Sequence, residues 1–369
     1  MTLPRLELEH CRARQRRLLE VMSNLGVEAV ILRRNAHVLW LCGHRFGDHF
    51  DSLAVMDKEG RVTLIAPHRK PDRAAADKIV TYPAKWLSTM RNDQSQAAAE
   101  CLLSTVPELS RMSKVAVEWS SFSQYLAQEL KSDLVDIDPD LFRLRRCKDP
   151  DELACLKAAI AATERMYEKA REIIRPGIQE LEVFNALQTE AVMSLGELLT
   201  GTGNDYQCNS RGGPPRRGHA AEAGELYILD LGPAYQGYFA DNARTIAVTE
   251  PNDDQLAAWS EIQKVFQWIE TSVRPGKSCR ELFEEVQEIL NQSPVGVFNH
   301  HLGHGIGLAP HEGPHLNPNW DDFFEVGDVF TAEPGLYDPT RLKAGMRLEN
   351  DYLVTEQGVE LLTPFNLGL

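Results

Sequence analysis

Two hydrophobic rhythms alternate along the first 142 residues. Residues 8–25, rich in Arg and Leu, place apolar side chains at helical spacing and predict an amphipathic helix. VEAVILRR follows, a short apolar run suited to a buried strand. HVLWLCG, SLAVMDKEGRVTLIAP and KVAVEW read in the same style, with a turn at Lys58-Glu59-Gly60 between two of the runs. Helical stretches near 94–106 and 122–131 interleave with these strands. Strands that alternate with helices in this way predict an α/β domain ending around residue 142.

The pattern changes at FRLRRCKDPDELACLKAAIAATERMYEKAREIIRPG. Asp149 before Pro150 is a good helix start. Proline at the first helical position gives up a donor that has no partner there anyway, and Asp151 and Glu152 complement the positive end of the helix dipole. A long helix should run to about Ile174 and stop before Pro176-Gly177. A second helix, ELEVFNALQTEAVMSL, comes next. The stretch TGTGNDYQCNSRGGPPRRGHAAEAG has the composition of a loop. Two strands then follow, ELYILDLG and GYFADNARTIAV, with a turn around Gln236-Gly237 between them.

The same order then recurs. A long helix, QLAAWSEIQKVFQWIETSV, leads to a second Arg-Pro-Gly at 274–276, and RPGKSCRELFEEVQ echoes RPGIQELEVFNALQ about 100 residues earlier. Proline and glycine end helices anywhere, so the tripeptide alone carries little. The ordered recurrence carries more: helix, Arg-Pro-Gly, helix, then two strands with acids. Asp230 and Asp241 stand in the first copy, and Glu333 and Glu349 in the second. The sequence therefore predicts two α/β half-domains facing each other about a pseudo-twofold axis, each offering two carboxylates to the middle.

These four acids sit in apolar company: YILDLG, YFADN, VFTAEPG and MRLEN. An ionised carboxylate buried on a strand is costly unless it is paired or bound to a cation, and four together repel one another. One such acid alone is ordinarily a salt-bridge partner. Four in duplicated positions suit two divalent ions, which typically sit ~3.5–4 Å apart and activate a water between them. NHHLGHGIGLAPHEGPH holds five of the chain's eleven histidines and supplies an imidazole, His304, flanked by glycines that allow close backbone approach. His300 and His311 stand beside it as hydrogen-bond donors or proton carriers. A ligand set made mostly of oxygens favours Mn²⁺, with Co²⁺, Fe²⁺ or Zn²⁺ as alternatives.

Composition narrows the function classes. The chain has 369 residues, enough for two domains. Its formal charge of −15 is spread along the sequence, which disfavours nucleic acid and anionic membrane surfaces as partners. Its seven cysteines are scattered with no CxxC pair, so neither a disulfide framework nor a structural zinc site is expected. No run approaches the ~20 apolar residues of a membrane helix, and a soluble cytoplasmic protein is the expected class.

The motifs closely resemble those of the pita-bread metallopeptidase superfamily (peptidase family M24), which includes methionine aminopeptidase, aminopeptidase P and prolidase. LDLGPAYQGYFADNART is similar to its aspartate motif, HHLGHGIGLAPHEGP to its histidine motif, and FTAEPGLY and MRLEND to its two glutamate motifs. GVEAVILRRNAHVLWLCGHR resembles the start of the creatinase/prolidase N-terminal domain. The resemblance implies an N-terminal creatinase/prolidase-like domain at 1–142 and a pita-bread catalytic domain at 143–369. It points to the prolidase and Xaa-Pro aminopeptidase branch, whose members are typically homodimers. By position it makes Asp230, Asp241, His304, Glu333 and Glu349 the metal ligands, with Asp241 and Glu349 bridging. His300, His311, Glu333 and Arg347 become the catalytic group, Arg347 ordering the second glutamate motif. The implied activity is hydrolysis of the Xaa-Pro bond of dipeptides or peptide N-termini by a metal-bridging hydroxide.

One departure stands out. The family usually places a substrate-contacting histidine about seventeen residues before the first aspartate, and here that position is Gly213, within SRGGPPRRG. His219 is too close to the following strand to replace it without a loop shift. Arg211, Arg216 and Arg217 could instead meet an acidic substrate or free carboxylate, or be solvated loop charges. Two other functions therefore stand beside peptide hydrolysis. One is hydrolysis of a non-peptide C–N substrate, as in creatinase or ectoine-derivative hydrolases. The other, disfavoured by the full ligand set, is a non-catalytic binding scaffold.

Overall fold

The fold comes from a computed structural model, which describes residues 3–203 and 205–369. Within them the chain divides into two compact units, one of Arg5–Arg145 and one of Arg146–Leu369 together with residues 3–4. The class is mixed α/β. No helix among the described residues is long and apolar enough to cross a membrane.

The N-terminal unit is built on a six-stranded sheet. Its strands run in the order Lys78–Tyr82, Val62–Pro67, Leu53–Asp57, Ala29–Leu32, Lys114–Val117 and Asp133–Asp136. Leu53–Asp57 pairs antiparallel with both its neighbours, and the remaining pairs are parallel. Ile31, Val55, Ile65, Val115 and Val117 pack with Ala98, Leu102 and Leu126 from the helices Gln94–Thr105 and Gln124–Glu129. The first helix spans Leu8–Leu25 and ends at Gly26 in the left-handed conformation.

HVLWLCG departs from the expected strand. It lies in a helix, Asn35–Cys42, closed by Gly43. Residues 37–42 are all buried, so the apolar run marks an element enclosed on every side, and periodicity alone does not separate a helix from a strand in that case.

The helix Asn35–Cys42 also carries a buried charge cluster. Glu118, 1% exposed, accepts hydrogen bonds from the backbone N–H of Arg33 and of Arg34 and from His37 Nδ1. Arg145 Nη1 lies 2.8 Å from His37 Nε2. A guanidinium only donates, so Nε2 accepts and the proton of a neutral imidazole sits on Nδ1. Burial pushes the His37 pKa below its ordinary value; Glu118 opposes this, and the charges of Arg145 and Arg34 reinforce it.

The second unit repeats one plan. The helix Pro150–Ile173 opens with a capping box in which the Asp149 backbone N–H donates to Glu152, 3.0 Å away. Arg175-Pro176-Gly177 turns the chain into the helix Glu180–Leu195. In the second copy the helix Asp253–Ser272, Arg274-Pro275-Gly276 and the helix Cys279–Leu290 follow in the same order. Each copy leads into an antiparallel strand pair. In the first, Leu226–Leu231 pairs with Asn242–Ala247. In the second, Val329–Ala332 pairs with Asn350–Thr355. The first pair belongs to a three-stranded sheet completed by Asp205–Cys208, a strand inside the stretch read as loop. The second lies within a five-stranded sheet, beside Gly303–Gly305.

The two strand pairs meet at their acidic ends. The Glu349 N–H donates to the Ala243 carbonyl (2.9 Å), and the Asn242 side chain donates to the Glu349 carbonyl. Thr245 Oγ1 donates to the Arg347 carbonyl (2.9 Å) and accepts from its N–H (3.1 Å). The buried guanidinium of Arg244 backs this seam, bonding the Glu349 carbonyl and Asn350 Oδ1 (3.0 Å). These bonds fix the backbones that carry the acids before any side-chain chemistry begins.

Candidate metal centre and substrate cavity

Strand pairing brings the acids together. Asp230 lies within Leu226–Leu231, and Asp241 immediately precedes Asn242–Ala247 on the partner strand. In the other half Glu333 follows Val329–Ala332 and Glu349 precedes Asn350–Thr355, with Ala332 opposite Asn350. All four carboxylates, with His304, His300, His311 and Arg347, line one cavity of about 360 Å³. Every residue singled out for catalysis or metal binding thus reaches the same space.

His304 is placed by crowding. On its two sides a Cβ at Gly303 would lie 2.0 Å from the Thr331 carbonyl oxygen, and one at Gly305 would lie 1.9 Å from that of Gly313. Only glycine lets the strand pass there. His304 Nδ1 lies 3.1 Å from the Gly305 carbonyl, which can only accept, so the ring proton is on Nδ1. Nε2 then carries a free lone pair toward the cavity, 3.7 Å from Asp241 Oδ2 and 3.6 Å from Glu333 Oε1. Backbone fixation of the tautomer is how a metal-binding imidazole is ordinarily oriented. The His311 ring stacks on it with centroids 3.7 Å apart.

The electrostatics separate the acids. Burial pushes Asp230, Asp241 and Glu349 above the usual carboxylate range, and their mutual repulsion adds to it; Arg347 opposes the rise at Asp230. Glu349 is 1% exposed, and its Oε2 has no hydrogen-bond partner among the described residues. Glu333 behaves oppositely. Burial raises it too, but the hydrogen bond and charge of His301, with His304 and Arg347, outweigh burial and hold it at about 2. Burial lowers His300 and His304 to about 4 against the opposing pull of Glu333, with Arg347 reinforcing the fall at His300, so both rings are neutral at pH 7.

The residues fit divalent ions. Three carboxylates are held at a cost that a cation removes, one buried oxygen lacks a partner, and a neutral imidazole presents its lone pair to the same space. Asp230, Asp241, His304, Glu333 and Glu349 form a donor set of oxygens with one nitrogen, suited to Mn²⁺ and its neighbours.

Around this floor the structure adds residues that the sequence did not single out. His301 Nε2 bonds Glu333 Oε1 at 2.9 Å. Tyr337 Oη lies 3.1 Å from His300 Nε2 and accepts from Arg347 Nη1 at 3.3 Å. Asp205 receives the Arg347 guanidinium, which also bonds Asp230 Oδ2 at 2.8 Å. A histidine pair at 300–301 was visible in the sequence. Asp205 had no such signal, because its four-residue strand is hidden in glycine-rich surroundings.

The glycine loop has its own logic. Gly213 N–H donates to Asp205 Oδ1 at 2.7 Å, and a Cβ at Gly212 would lie 2.0 Å from Asp205 Oδ2. The expected histidine position is thus occupied by backbone wrapped on an acid. Of the three loop arginines, only Arg211 lines the cavity. Arg216 is bound to the buried Glu180 (2.6 Å) and to the Cys208 carbonyl (2.6 Å), and Arg217 is exposed.

Comparison with known proteins agrees with this architecture. The family model described as metallopeptidase family M24 matches residues 154–356, and that of the creatinase/prolidase N-terminal domain matches residues 14–147. An uncharacterized peptidase of Staphylococcus epidermidis is 31% identical over 235 residues, which is 62% of this chain and 66% of that protein, slightly under two thirds. One from Staphylococcus aureus is 26% identical over 368 residues, 95% of this chain and 98% of the relative. Among solved structures, an Xaa-Pro dipeptidase from Bacillus anthracis superposes with a TM-score of 0.83 at 24% identity, covering 97% of this chain and 99% of its own. That likeness establishes the fold.

Proposed function

This chain belongs to metallopeptidase family M24 and is an enzyme of the peptidase class, and from that premise we propose that it hydrolyses the bond before proline in short peptides, using two divalent ions held by Asp230, Asp241, His304, Glu333 and Glu349. Asp241 and Glu349 would be shared between the ions. Asp230 would serve one, and His304 and Glu333 the other. The observation that carries the reading is the convergence of four buried carboxylates with the fixed His304 Nε2, an excess of negative charge that the protein's own cations do not neutralise. The ions supply Lewis acidity at the scissile carbonyl and lower the pKa of the attacking water.

The chain's own groups do the rest. His300 and His311 are neutral donors on the cavity wall, suited to the oxygen that gains charge as the carbonyl is attacked. Tyr337 orients His300, and Arg347 clamps Asp230 against Asp205. Glu333, ionised and facing the cavity, is placed to accept a proton from the nucleophile and return it to the proline nitrogen. Manganese is the proposed metal and a homodimer the proposed assembly. All seven cysteines are free, which supports a reducing, cytoplasmic setting.

The test is a screen of Xaa-Pro dipeptides, longer Xaa-Pro peptides and non-proline controls after reconstitution with Mn²⁺ or Co²⁺. Cleavage confined to the bond before proline is expected. The glycine loop at 212–213 favours one second reading, a non-peptide C–N substrate bearing a carboxylate. Failure to cleave any proline peptide would select it.

A further inference from the structure

We propose that His301 is a further ligand of the metal centre, giving the ion on His304 and Glu333 a second imidazole and making the two ion positions chemically unequal; this rests on the two-ion reading above. His301 lines the same cavity, and its Nε2 stands 2.9 Å from Glu333 Oε1. That oxygen is 3.6 Å from His304 Nε2, which is in turn 3.7 Å from Asp241 Oδ2. Donors about 2.1 Å from one ion lie about 3.0 Å apart at right angles and about 3.4 Å apart at a tetrahedral angle. The three separations are close to the edges of one coordination shell, with Glu333 Oε1 between two imidazole nitrogens.

The neighbouring histidine is placed differently. His300 Nε2 faces Tyr337 Oη at 3.1 Å, and its Nδ1 is 4.0 Å from Glu333 Oε2. Of the pair, only His301 brings a nitrogen against a ligand oxygen. The main chain holds it there. The Leu302 N–H donates to the Leu316 carbonyl at 3.0 Å, and the Leu302 carbonyl accepts from the Glu333 N–H at 2.7 Å. His301 and Glu333 are thus tied through backbone as well as side chain, and no loop has to move to bring the ring to an ion.

In the ion-free protein the ionised Glu333 can only accept, so His301 Nε2 donates. The proton joins the same nitrogen and oxygen that an ion would join, and it leaves to solvent when an ion binds. The two positions then differ in chemistry. Around Asp230 the donors are all oxygens, and the Arg347 guanidinium, 2.8 Å from Asp230 Oδ2, competes for one of them. Oxygen donors suit Mn²⁺, whereas two imidazoles favour Co²⁺, Fe²⁺ or Zn²⁺. The position at His301, His304 and Glu333 is therefore the tighter one for these later metals.

The experiment titrates metal-free wild type, His301→Gln and His301→Leu with Co²⁺ by calorimetry, and records X-ray absorption of each protein at one equivalent of Co²⁺. Glutamine keeps an N–H donor for Glu333 but removes the imidazole. The wild type should bind one ion more tightly than the other, with two imidazoles in the first shell. Loss of a contact that only orients a ligand costs about 10- to 100-fold in metal affinity, so loss of a ligand should weaken the first binding event by more than about 100-fold in both variants. One imidazole should remain in each. Wild-type affinity in His301→Gln shows that His301 acts through the hydrogen bond alone and overturns the proposal. So does a single imidazole in the wild type, or two retained in His301→Leu. Failure of the underlying reading looks different. A wild type that takes up no Co²⁺ removes the two-ion centre and this ligand together. A wild type that binds Co²⁺ as described, with the losses expected in both variants, but cleaves no proline peptide upholds His301 as a ligand and fails only the substrate.

Discussion

Glu118 in the N-terminal unit and Glu349 in the other are buried to the same depth, each 1% exposed, yet they are built on opposite rules. Glu118 is met by two backbone N–H groups and by the His37 Nδ1 proton, with Arg145 behind the ring. Glu349 has an oxygen without a partner among the described residues, and burial, with Asp230, Asp241 and Glu333 around it, pushes its pKa well up. Burial alone therefore says little about purpose. A buried acid whose lone pairs are filled from within serves the fold, and one whose neighbours are other acids awaits a cation from outside.

The comparison breaks most visibly at the floor of the cavity. Asp241→Ala, or chelation of the wild type, should lower peptidase activity by about 10³-fold or more, and Mn²⁺ or Co²⁺ should restore only the chelated wild type. Unaltered hydrolysis by Asp241→Ala would remove the metal reading.

Neutral isosteres sharpen it. Glu118→Gln should destabilise the N-terminal unit by about 3 kcal/mol, because an amide puts an NH2 group where the carboxylate accepts from two backbone N–H groups and from His37. In chelated protein Glu349→Gln should instead be neutral or stabilising by about 1 kcal/mol, since it removes charge that nothing pairs. Urea unfolding of both variants checks the signs, and a shared sign would erase the distinction drawn between the two acids.

Arg347 belongs to both descriptions, a paired cation that positions an unpaired cluster. Arg347→Met should weaken Mn²⁺ binding by about 10- to 100-fold by freeing Asp230, measured by calorimetry.

The smallest effect concerns His37. Its folded pKa is depressed, so the unfolded chain takes up the proton first as pH falls. Its contribution to stability is complete above the unfolded value of about 6.5 and declines below it, by at most about 1.4 kcal/mol per pH unit. The difference in unfolding free energy between wild type and His37→Gln should therefore shrink between pH 7 and pH 5; a constant difference would show that folding leaves the His37 pKa unshifted, and a growing one that His37 is charged in the fold.

Much of this is legible in the amino-acid sequence alone. The long helices announce themselves by period and capping, as Asp149-Pro150 and Glu152 show at the helix Pro150–Ile173. The acids that line the cavity stand out because a carboxylate inside an apolar strand contradicts its surroundings. What escapes has physical reasons. The helix Asn35–Cys42 is buried all round and so has no polar face to reveal its period. Asp205 acts through Arg347, from more than a hundred residues away along the chain, and its strand is too short to register against glycines and prolines. Arg216 and Arg211 are alike in sequence. Only the position of Glu180 under one and Tyr337 under the other separates a fold anchor from a side chain that lines the cavity.

The glycines beside His304 have a longer reach than the chemistry they serve. Gly303 and Gly305 are fixed by carbonyls that leave no room for a methyl group, whatever the cavity is used for. The acids are under the contrary pressure, because without ions they burden the fold. Removing a carboxylate relieves the ion-free fold, whereas any side chain at either glycine collides with a carbonyl. The acids can therefore be exchanged without loss of the fold, and the glycines cannot.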